Sequence, residues 1–437
     1  MSRTTVDAGR REPDTVPRRG RETSRWARTR TRLTAAGALL AGLALSIVHA
    51  TPAAADPGTY AYTANTFSNN VSVIDTATNT VTAIIPLGDG TLPREVAVNT
   101  AGTRAYTANQ FSDSVSVIDT TANTVITAVD LVPDGGDSPV GVAVSPDGTR
   151  VYTANATSGN VSVIDTATNT VIATVDLGGP GVGDSPGEVA VSPDGTRVYT
   201  ANSNSDDVSV IDATTNTVIA TVDLVPDGGD SPSGVVVSPA GTRVYVANND
   251  SDNVSVIDTA TNTVTATVPL GPGGDFPVKV AVSPDGTRVY TANLTSNNVS
   301  VINTATNTVT TAIPIGPGGD SPVGVAVSPD GTRVYTANFL SSNVSVIDTL
   351  TNTVTATVTV APDGNFPQGV AVGAVPGTAT AQCPDGSVLT GGGFEITGPF
   401  PNYFNSKPVI DDTWQISGTN PTTQTNTLTP QAACGTG

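Results

Sequence analysis

Residues 142–177 read VAVSPDGTRVYTANATSGNVSVIDTATNTVIATVDL, and this stretch decides the fold. Runs rich in Val, Ile, Thr and Tyr predict four strands, VAV, RVYTAN, NVSVID and TVIATVDL. The first two are separated by SPDG, where Pro fixes φ and Asp-Gly favours a tight turn. The third and fourth are separated by a turn of Asp, Thr and Asn. This order is typical of a four-stranded antiparallel meander.

The same unit recurs along the chain every 44 to 47 residues. Its clearest marker is a Tyr-x-Ala-Asn signature in the second strand, found at Tyr62, Tyr106, Tyr152, Tyr199, Tyr245, Tyr290 and Tyr335. Four-stranded units with this period predict a β-propeller, and seven copies predict seven blades.

The two ends of the repeat region predict how the ring closes. The repeat region begins with a second strand, near Thr59, and ends with a first strand, within residues 369–372. We therefore expect one C-terminal strand to complete the three-stranded N-terminal blade, which leaves no open sheet edge between the ends. The predicted fold is an all-β, seven-bladed propeller with this 3+1 closure.

The motif string YTANTFSNNVSVIDTATNTV at residues 62–81 resembles the YVTN β-propeller repeat, and so does the string at residues 290–309. The resemblance covers residues 56–372, with the Val of the signature usually replaced by Thr. It implies a seven-bladed propeller of the kind common in exported and surface-layer proteins of prokaryotes. It does not imply one activity, because related propellers serve as scaffolds, binding modules and lactone-hydrolysing or redox-associated enzymes.

The N-terminal 55 residues have a different composition from the repeats. Ten Arg within the first 32 residues precede an apolar run at 33–50, which is followed by three Ala at 53–55. This pattern predicts a secretory signal removed after residue 55, by the Sec or the twin-arginine route. The alternative is an uncleaved anchor, since the run is at the lower length limit for a membrane span. We expect a secreted, extracellular protein that can associate with the cell wall.

The chain after residue 55 is strongly acidic, with nine basic and 34 acidic residues and a net charge of −25. Such a surface repels nucleic acid and anionic lipid. We therefore expect no nucleic-acid partner and no membrane insertion after signal cleavage.

Missing residue types limit the chemistry of the mature chain. The one His of the sequence, His49, lies in the predicted signal. A Ser/His/Asp triad and a His-ligated metal are therefore excluded, and the absence of a catalytic motif favours a non-enzymatic protein.

The loop between each fourth strand and the next first strand is the one variable spacing in the repeat, and each such loop contains a Pro. Two residues before that Pro, five repeats carry a carboxylate, at Asp137, Asp184, Asp230, Asp275 and Asp320. Because each loop leads into an innermost strand, these carboxylates are expected around one mouth of the central channel. They indicate either a Ca²⁺-type cation site or a repeated Asx-type turn. We expect no cofactor, with Ca²⁺ as the alternative.

Two residues after the same Pro, four repeats have Gly and three have a charged residue instead. The three charged residues are Glu95, Glu188 and Lys279. Because they interrupt the repeat, they are candidate binding residues at the channel mouth. The alternative is chance variation of a surface position.

The C-terminal region differs from the repeats. Residues 373–380 are predicted to form a linker, and residues 381–437 a small β module that resembles disulfide-closed modules appended to secreted actinobacterial proteins. Cys383 and Cys434 are the two Cys of the sequence, and an exported context favours a disulfide between them.

These observations predict a secreted, non-enzymatic binding or scaffold module that acts through its inter-blade loops. The expected partner is a protein, a glycan or another cell-envelope component. One alternative is a lactonase-like propeller hydrolase that uses a carboxylate-bound cation. Another is a structural component of a surface layer.

Overall fold

The computed structural model describes residues 58–178, 184–316, 318–360 and 362–375, together with the backbone of five strands between 377 and 436. Seven antiparallel sheets of four strands each account for the repeat region. The predicted all-β, seven-bladed propeller is confirmed. The predicted signal at residues 1–55 lies outside the described residues.

The blades are numbered in chain order. Blades 1 to 3 contain β1 (Gly58–Asn65), β2 (Asn70–Asp75) and β3 (Thr80–Pro86); β4 (Pro93–Val98), β5 (Arg104–Asn109), β6 (Ser114–Asp119) and β7 (Thr124–Asp130); and β8 (Pro139–Val144), β9 (Arg150–Asn155), β10 (Asn160–Asp165) and β11 (Thr170–Asp176). Blades 4 and 5 contain β12 (Pro186–Val191), β13 (Arg197–Asn202), β14 (Asp207–Asp212) and β15 (Thr217–Asp223); and β16 (Pro232–Val237), β17 (Arg243–Asn248), β18 (Asn253–Asp258) and β19 (Thr263–Pro269). Blades 6 and 7 contain β20 (Pro277–Val282), β21 (Arg288–Asn293), β22 (Asn298–Asn303) and β23 (Thr308–Pro314); and β24 (Pro322–Val327), β25 (Arg333–Asn338), β26 (Asn343–Asp348) and β27 (Thr353–Thr359).

The first, innermost strand of blade 1 is β28 (Pro367–Val375), which comes from the other end of the repeats. The strand order in this blade is β28-β1-β2-β3, so the predicted 3+1 closure is confirmed. β28 is longer than its counterparts because β1 begins at Gly58 and pairs with it as far as Val375. Strand pairing therefore extends into residues 373–375 of the predicted linker.

The innermost strand of each blade, here called the inner strand, packs beside the inner strands of the two neighbouring blades, and together they form a closed ring around the central channel. The loops that lead into the inner strands bond to loops between second and third strands. For example, the Ser138 N–H donates to Asp113 Oδ1 at 2.7 Å, across the boundary between blades 2 and 3. We call this side the inter-blade-loop face, and the opposite side, which carries the SPDG turns, the constant face.

The hydrophobic core consists of layers between adjacent blades. In one layer, Tyr106 and Val117 of blade 2 pack with Val142 and Ile164 of blade 3. The Tyr of every Tyr-x-Ala-Asn signature is at most 1% exposed. Small β-branched side chains fill the remaining space, which fits a chain that is poor in aromatic residues.

Arg side chains join neighbouring blades on the constant face. Arg104 Nη1 of blade 2 donates to the Thr166 carbonyl of blade 3 at 3.0 Å. The same bond repeats around the ring and ends with Arg333 of blade 7, which donates to the Thr76 carbonyl of blade 1. Blade 1 has Tyr60 at the position of this Arg.

The C-terminal region contains five further strands: β29 (Gly377–Gln382), β30 (Ser387–Thr397), β31 (Tyr403–Val409), β32 (Thr413–Thr419) and β33 (Thr427–Thr436). They form a three-stranded sheet in the order β29-β32-β31 and a two-stranded sheet of β30 and β33. Cys383 lies outside the described residues, so its disulfide with Cys434 stays a prediction. None of the helical segments found in the described ranges has the length and apolar character needed to cross a membrane.

Candidate functional site

The central channel is narrow where the predicted site residues lie. The third residue of each inner strand is Gly in blades 1, 3, 5 and 7. A Cβ added to Gly141 would lie 2.9 Å from Glu188 Cα, and one added to Gly324 would lie 2.2 Å from the Gln368 carbonyl oxygen. Neighbouring inner strands therefore approach too closely for any side chain at these four positions.

Blades 2, 4 and 6 carry the three charged residues at this level. Lys279 Nζ lies 2.8 Å from Glu188 Oε1 and forms a second ion pair with Glu95 Oε2. Their side chains are only 8 to 16% exposed. Because each charged position lies between two glycine positions, three long side chains meet inside the channel without steric conflict. The structure thus brings together three of the eight predicted binding residues.

Backbone donors complete the bonding of this charged cluster. The Val96 N–H donates to Glu95 Oε1 at 3.1 Å, and the Val235 N–H donates to Glu188 Oε2 at 2.9 Å. Each carboxylate therefore has one oxygen on Lys279 and the other on an inner strand. The cluster links blades 2, 4, 5 and 6 across the channel.

The electrostatics of the cluster depend on burial. Burial raises the pKa of Glu188, with Lys279 opposing the rise and Glu95 adding to it. Burial alone would lower the pKa of Lys279, but Glu188 and Glu95 together raise it above its ordinary value. Lys279 therefore stays charged, and its single charge is shared by two carboxylates within the channel.

The five loop aspartates have a different environment. Asp137, Asp230, Asp275 and Asp320 are exposed, and Asp184 is partly buried. Their backbone N–H groups bond to loop serines in four cases, as from Asp230 to Ser251 Oγ at 3.0 Å. Within the described residues, no three His, Cys, Asp or Glu side chains are grouped as a metal site would require. The Ca²⁺ site stays a prediction.

Several of these loop carboxylates lie near a second carboxylate. Burial raises the pKa of Asp137, and Asp113 raises it further. The charge of Asp206 raises the pKa of Asp230. Like charges are therefore held close together on the inter-blade-loop face, where a cation would relieve their repulsion.

An aromatic cluster on the same face was missed by the sequence analysis. The rings of Phe67 and Phe366 meet edge to face at 5.0 Å, and those of Phe339 and Phe366 lie 4.9 Å apart. Phe67 is 59% exposed, and Leu340, next to Phe339, is 56% exposed. We call Phe67, Phe339, Leu340 and Phe366 the phenylalanine patch.

A compositional signal could have found the phenylalanine patch. The propeller contains five Phe, and every one falls in a loop of the inter-blade-loop face: Phe67, Phe111, Phe276, Phe339 and Phe366. A core residue would be expected in the strands instead. Composition alone does not show which of these loops meet; it has to be combined with the predicted ring closure, which places blade 7 beside blade 1.

The constant face has a cavity of about 670 Å³ at the closure of the ring, lined by Thr59, Thr76, Asn99, Arg333 and Tyr335 among others. Comparable clefts between blades 3 and 4 and between blades 6 and 7 measure about 300 and 310 Å³. The space is larger here because the inner and second strands of blade 1 come from opposite ends of the repeat region and lack the SPDG turn. Arg333 is already bonded to the Thr76 carbonyl in this cavity.

Sequence comparison identifies a family for the repeat region. The model of the family described as Lactonase, 7-bladed beta-propeller, matches residues 49–177, 166–268 and 258–368. These ranges overlap and together cover most of the chain. No curated protein sequence matches this chain.

Solved structures share the fold at low identity. Hydrazine synthase of Kuenenia stuttgartiensis is 24% identical, with 66% of this chain and 92% of that chain covered and a TM-score of 0.57. A functionally unknown protein from Desulfotomaculum acetoxidans is 18% identical, with 72% and 99% covered and a TM-score of 0.60. A protein from Bacteroides uniformis proposed to be a 6-phosphogluconolactonase is 18% identical, with 72% and 99% covered and a TM-score of 0.58. Likeness at these identities shows the fold alone.

Proposed function

This chain belongs to the seven-bladed β-propeller lactonase family, and from that premise we propose that it is a secreted binding module. Its inter-blade-loop face engages a partner at or outside the cell envelope. The support for export is the basic, apolar and small-residue order of residues 1–55.

The phenylalanine patch is the observation that carries this proposal. The rings of Phe67, Phe339 and Phe366 contact one another, while Phe67 and the neighbouring Leu340 are more than half exposed to water. Contiguous exposed apolar groups on a soluble protein mark interaction sites, and aromatic side chains dominate the energy of many interfaces. On a surface with no partner, polar residues at these positions would be better solvated than Phe and Leu.

The charged cluster in the channel supports a structural role for Glu95, Glu188 and Lys279. Both carboxylates are bound to Lys279 and to backbone N–H groups. Through these bonds the three side chains hold the inner strands together. Neither carboxylate can bind an external ligand without losing one of its existing bonds.

The proposal is tested by measuring binding of the purified chain, from Asp56 onward, to washed envelopes of the producing organism. The test variant combines Phe67→Ser with Phe339→Ser. The control is Leu350→Ser, because Leu350 is 87% exposed in a constant-face turn. We expect saturable binding that weakens by about tenfold or more in the test variant and is unchanged in the control. Equal binding by all three proteins would overturn the proposal.

Lactone hydrolysis is a second candidate function, favoured by the family and by one feature of the channel. Glu188 is a channel carboxyl with a raised pKa, and it would act as a general base on water once it gives up its bond to Lys279 or to the Val235 N–H. The test is a panel of lactones with and without Ca²⁺. Turnover that Glu95→Gln or Glu188→Gln abolishes would establish the hydrolase and contradict a purely binding role, whereas absence of turnover in either condition counts against it.

A further inference from the structure

We propose that the partner presents a cationic polypeptide segment with an apolar anchor, and that the anchor seats on the phenylalanine patch. This inference rests on the proposed function and names the chemistry of its partner. It follows from the apolar character of the patch and from the charge around it.

The patch is built to accept one further apolar side chain. The three rings form a triangle, with Phe366 at 5.0 Å from Phe67 and 4.9 Å from Phe339. Phe67 and Phe339 are 6.4 Å apart and tilted by 55°. Rings in tilted and edge contact leave faces and edges open for another aromatic or aliphatic group.

Two acidic residues lie in or next to the loops that carry the patch. Asp363 and Asp320 are both exposed; Asp363 lies in the loop of Phe366, and Asp320 lies in the preceding inter-blade loop, between β23 and β24. The Leu340 N–H donates to the Asp320 carbonyl at 3.3 Å, and Phe366 follows Asp363 by three residues. A ligand anchored on the patch therefore places its neighbouring groups beside carboxylates.

The described part of this face offers few basic side chains to balance those carboxylates. The six GTR Arg of residues 104–333 bond to turns of the constant face, as Arg104 and Arg243 do to Thr166 and Thr304. Lys279 is paired inside the channel, and Arg94 is half-buried in an inner strand beside Glu95. Charge complementarity therefore selects a cationic ligand.

Other occupants fit this surface less well. A second copy would bring together two chains that each carry a net charge of −25 after residue 55. A neutral glycan would leave the exposed carboxylates without a counter-charge. A cationic segment with one large apolar residue satisfies both parts of the surface.

The experiment uses fluorescein-labelled peptides and fluorescence anisotropy on the chain from Asp56 onward. The probe is a short peptide of alternating Lys and Leu. One comparison peptide replaces every Lys by Glu, and another keeps Lys but replaces every Leu by Ser. Affinity is measured at salt concentrations from about 50 to about 300 mM, since exposed charge pairs are screened over that range.

We expect the Lys and Leu probe to bind more tightly than either comparison peptide and to weaken as salt rises. The Phe67→Ser, Phe339→Ser variant should lose about tenfold in affinity, and Leu350→Ser should lose none. The variant Asp320→Asn, Asp363→Asn keeps the apolar contact and should lose about threefold, chiefly at low salt. Equal binding of the Glu peptide, or binding unchanged by the Phe substitutions, would overturn the inference.

Two further outcomes separate this inference from the proposed function. Envelope binding that needs the Phe residues, but is insensitive to salt and to competition by the Lys and Leu probe, keeps the proposed function and rejects the cationic partner. Self-association that the Phe substitutions abolish assigns the patch to a second copy and also rejects it. Envelope binding independent of the Phe residues removes the proposed function itself, whatever the peptides do.

Discussion

The Asn of each Tyr-x-Ala-Asn signature shows what the most constant side chains do. Asn293 is fully buried, and its Nδ2 donates to Asn298 Oδ1 at 2.7 Å and to Ser300 Oγ at 2.8 Å. Asn298 in turn donates to the carbonyl of Gly273 in an inter-blade loop. The Asn of the NVS motif is therefore a buried structural residue, and the signature joins two strands to the loop before them.

Replacing Asn293 by Ala should destabilise the protein markedly. The change removes the Nδ2 donor and leaves Asn298 Oδ1 and Ser300 Oγ without it, which lowers the free energy of unfolding by about 2 to 3 kcal/mol. Urea denaturation checks this value, with the exposed Leu350→Ala as the control. A loss no larger than that of the control would show that the network does not hold the blade.

The charged cluster makes a prediction that depends on pH. Lys279→Met removes the shared cation from two buried carboxylates, which should lower the free energy of unfolding by about 3 kcal/mol near pH 8. Burial already raises the pKa of Glu188, and loss of Lys279 raises it further. A carboxyl with a higher pKa in the folded state stabilises the fold as pH falls through that pKa and loses this contribution as pH rises. The variant should therefore regain stability towards about pH 5, more than the wild type does.

The matched control for this prediction is the neutral triple variant Glu95→Gln, Glu188→Gln, Lys279→Met. Removing all the charges together avoids an unpaired buried charge, so its stability should stay near that of the wild type and vary little with pH. A Lys279→Met protein whose loss of stability is the same at both pH values would contradict the ion-pair account.

At the scale of elements, the inner strands and the closing strand β28 determine the geometry of the channel. Strand order, turn positions and closure could all be predicted, because they repeat or follow from counting strands. The extension of β28 through Val375 could not, since it has no equivalent among the other inner strands. Its length depends on where β1 begins, which only pairing between the two ends reveals.

A glycine comparison tests the close approach of the inner strands. Gly324→Ala places a Cβ 2.2 Å from the Gln368 carbonyl oxygen, between β24 and β28, and should lower the free energy of unfolding by about 3 kcal/mol. Gly273→Ala is the control, because the nearest atom to its Cβ is 3.7 Å away. Thermal unfolding measures both. Equal melting temperatures would show that the inner strands can separate at the closure without loss.

At the scale of the whole molecule, residues distant in sequence become neighbours. Glu95, Glu188 and Lys279 could be selected from the sequence because each replaces a Gly in the repeat. Their contact could not be predicted from the repeat alone. It depends on the closed ring, in which the inner strands of blades 2, 4 and 6 face the same point of the channel. The phenylalanine patch could not be predicted by comparing repeats, because Phe67 and Phe366 lie in two different kinds of loop and do not share a repeat position.

The central claim is that partners bind the inter-blade-loop face at the phenylalanine patch. Hydrogen exchange with mass spectrometry on the chain bound to washed envelopes tests it most directly. We expect slower exchange in the loops at residues 66–69, 339–342 and 362–366, with no change in the constant-face turns at 284–287 and 329–332. Saturated binding that protects the constant-face turns and leaves the three patch loops unchanged would contradict the claim.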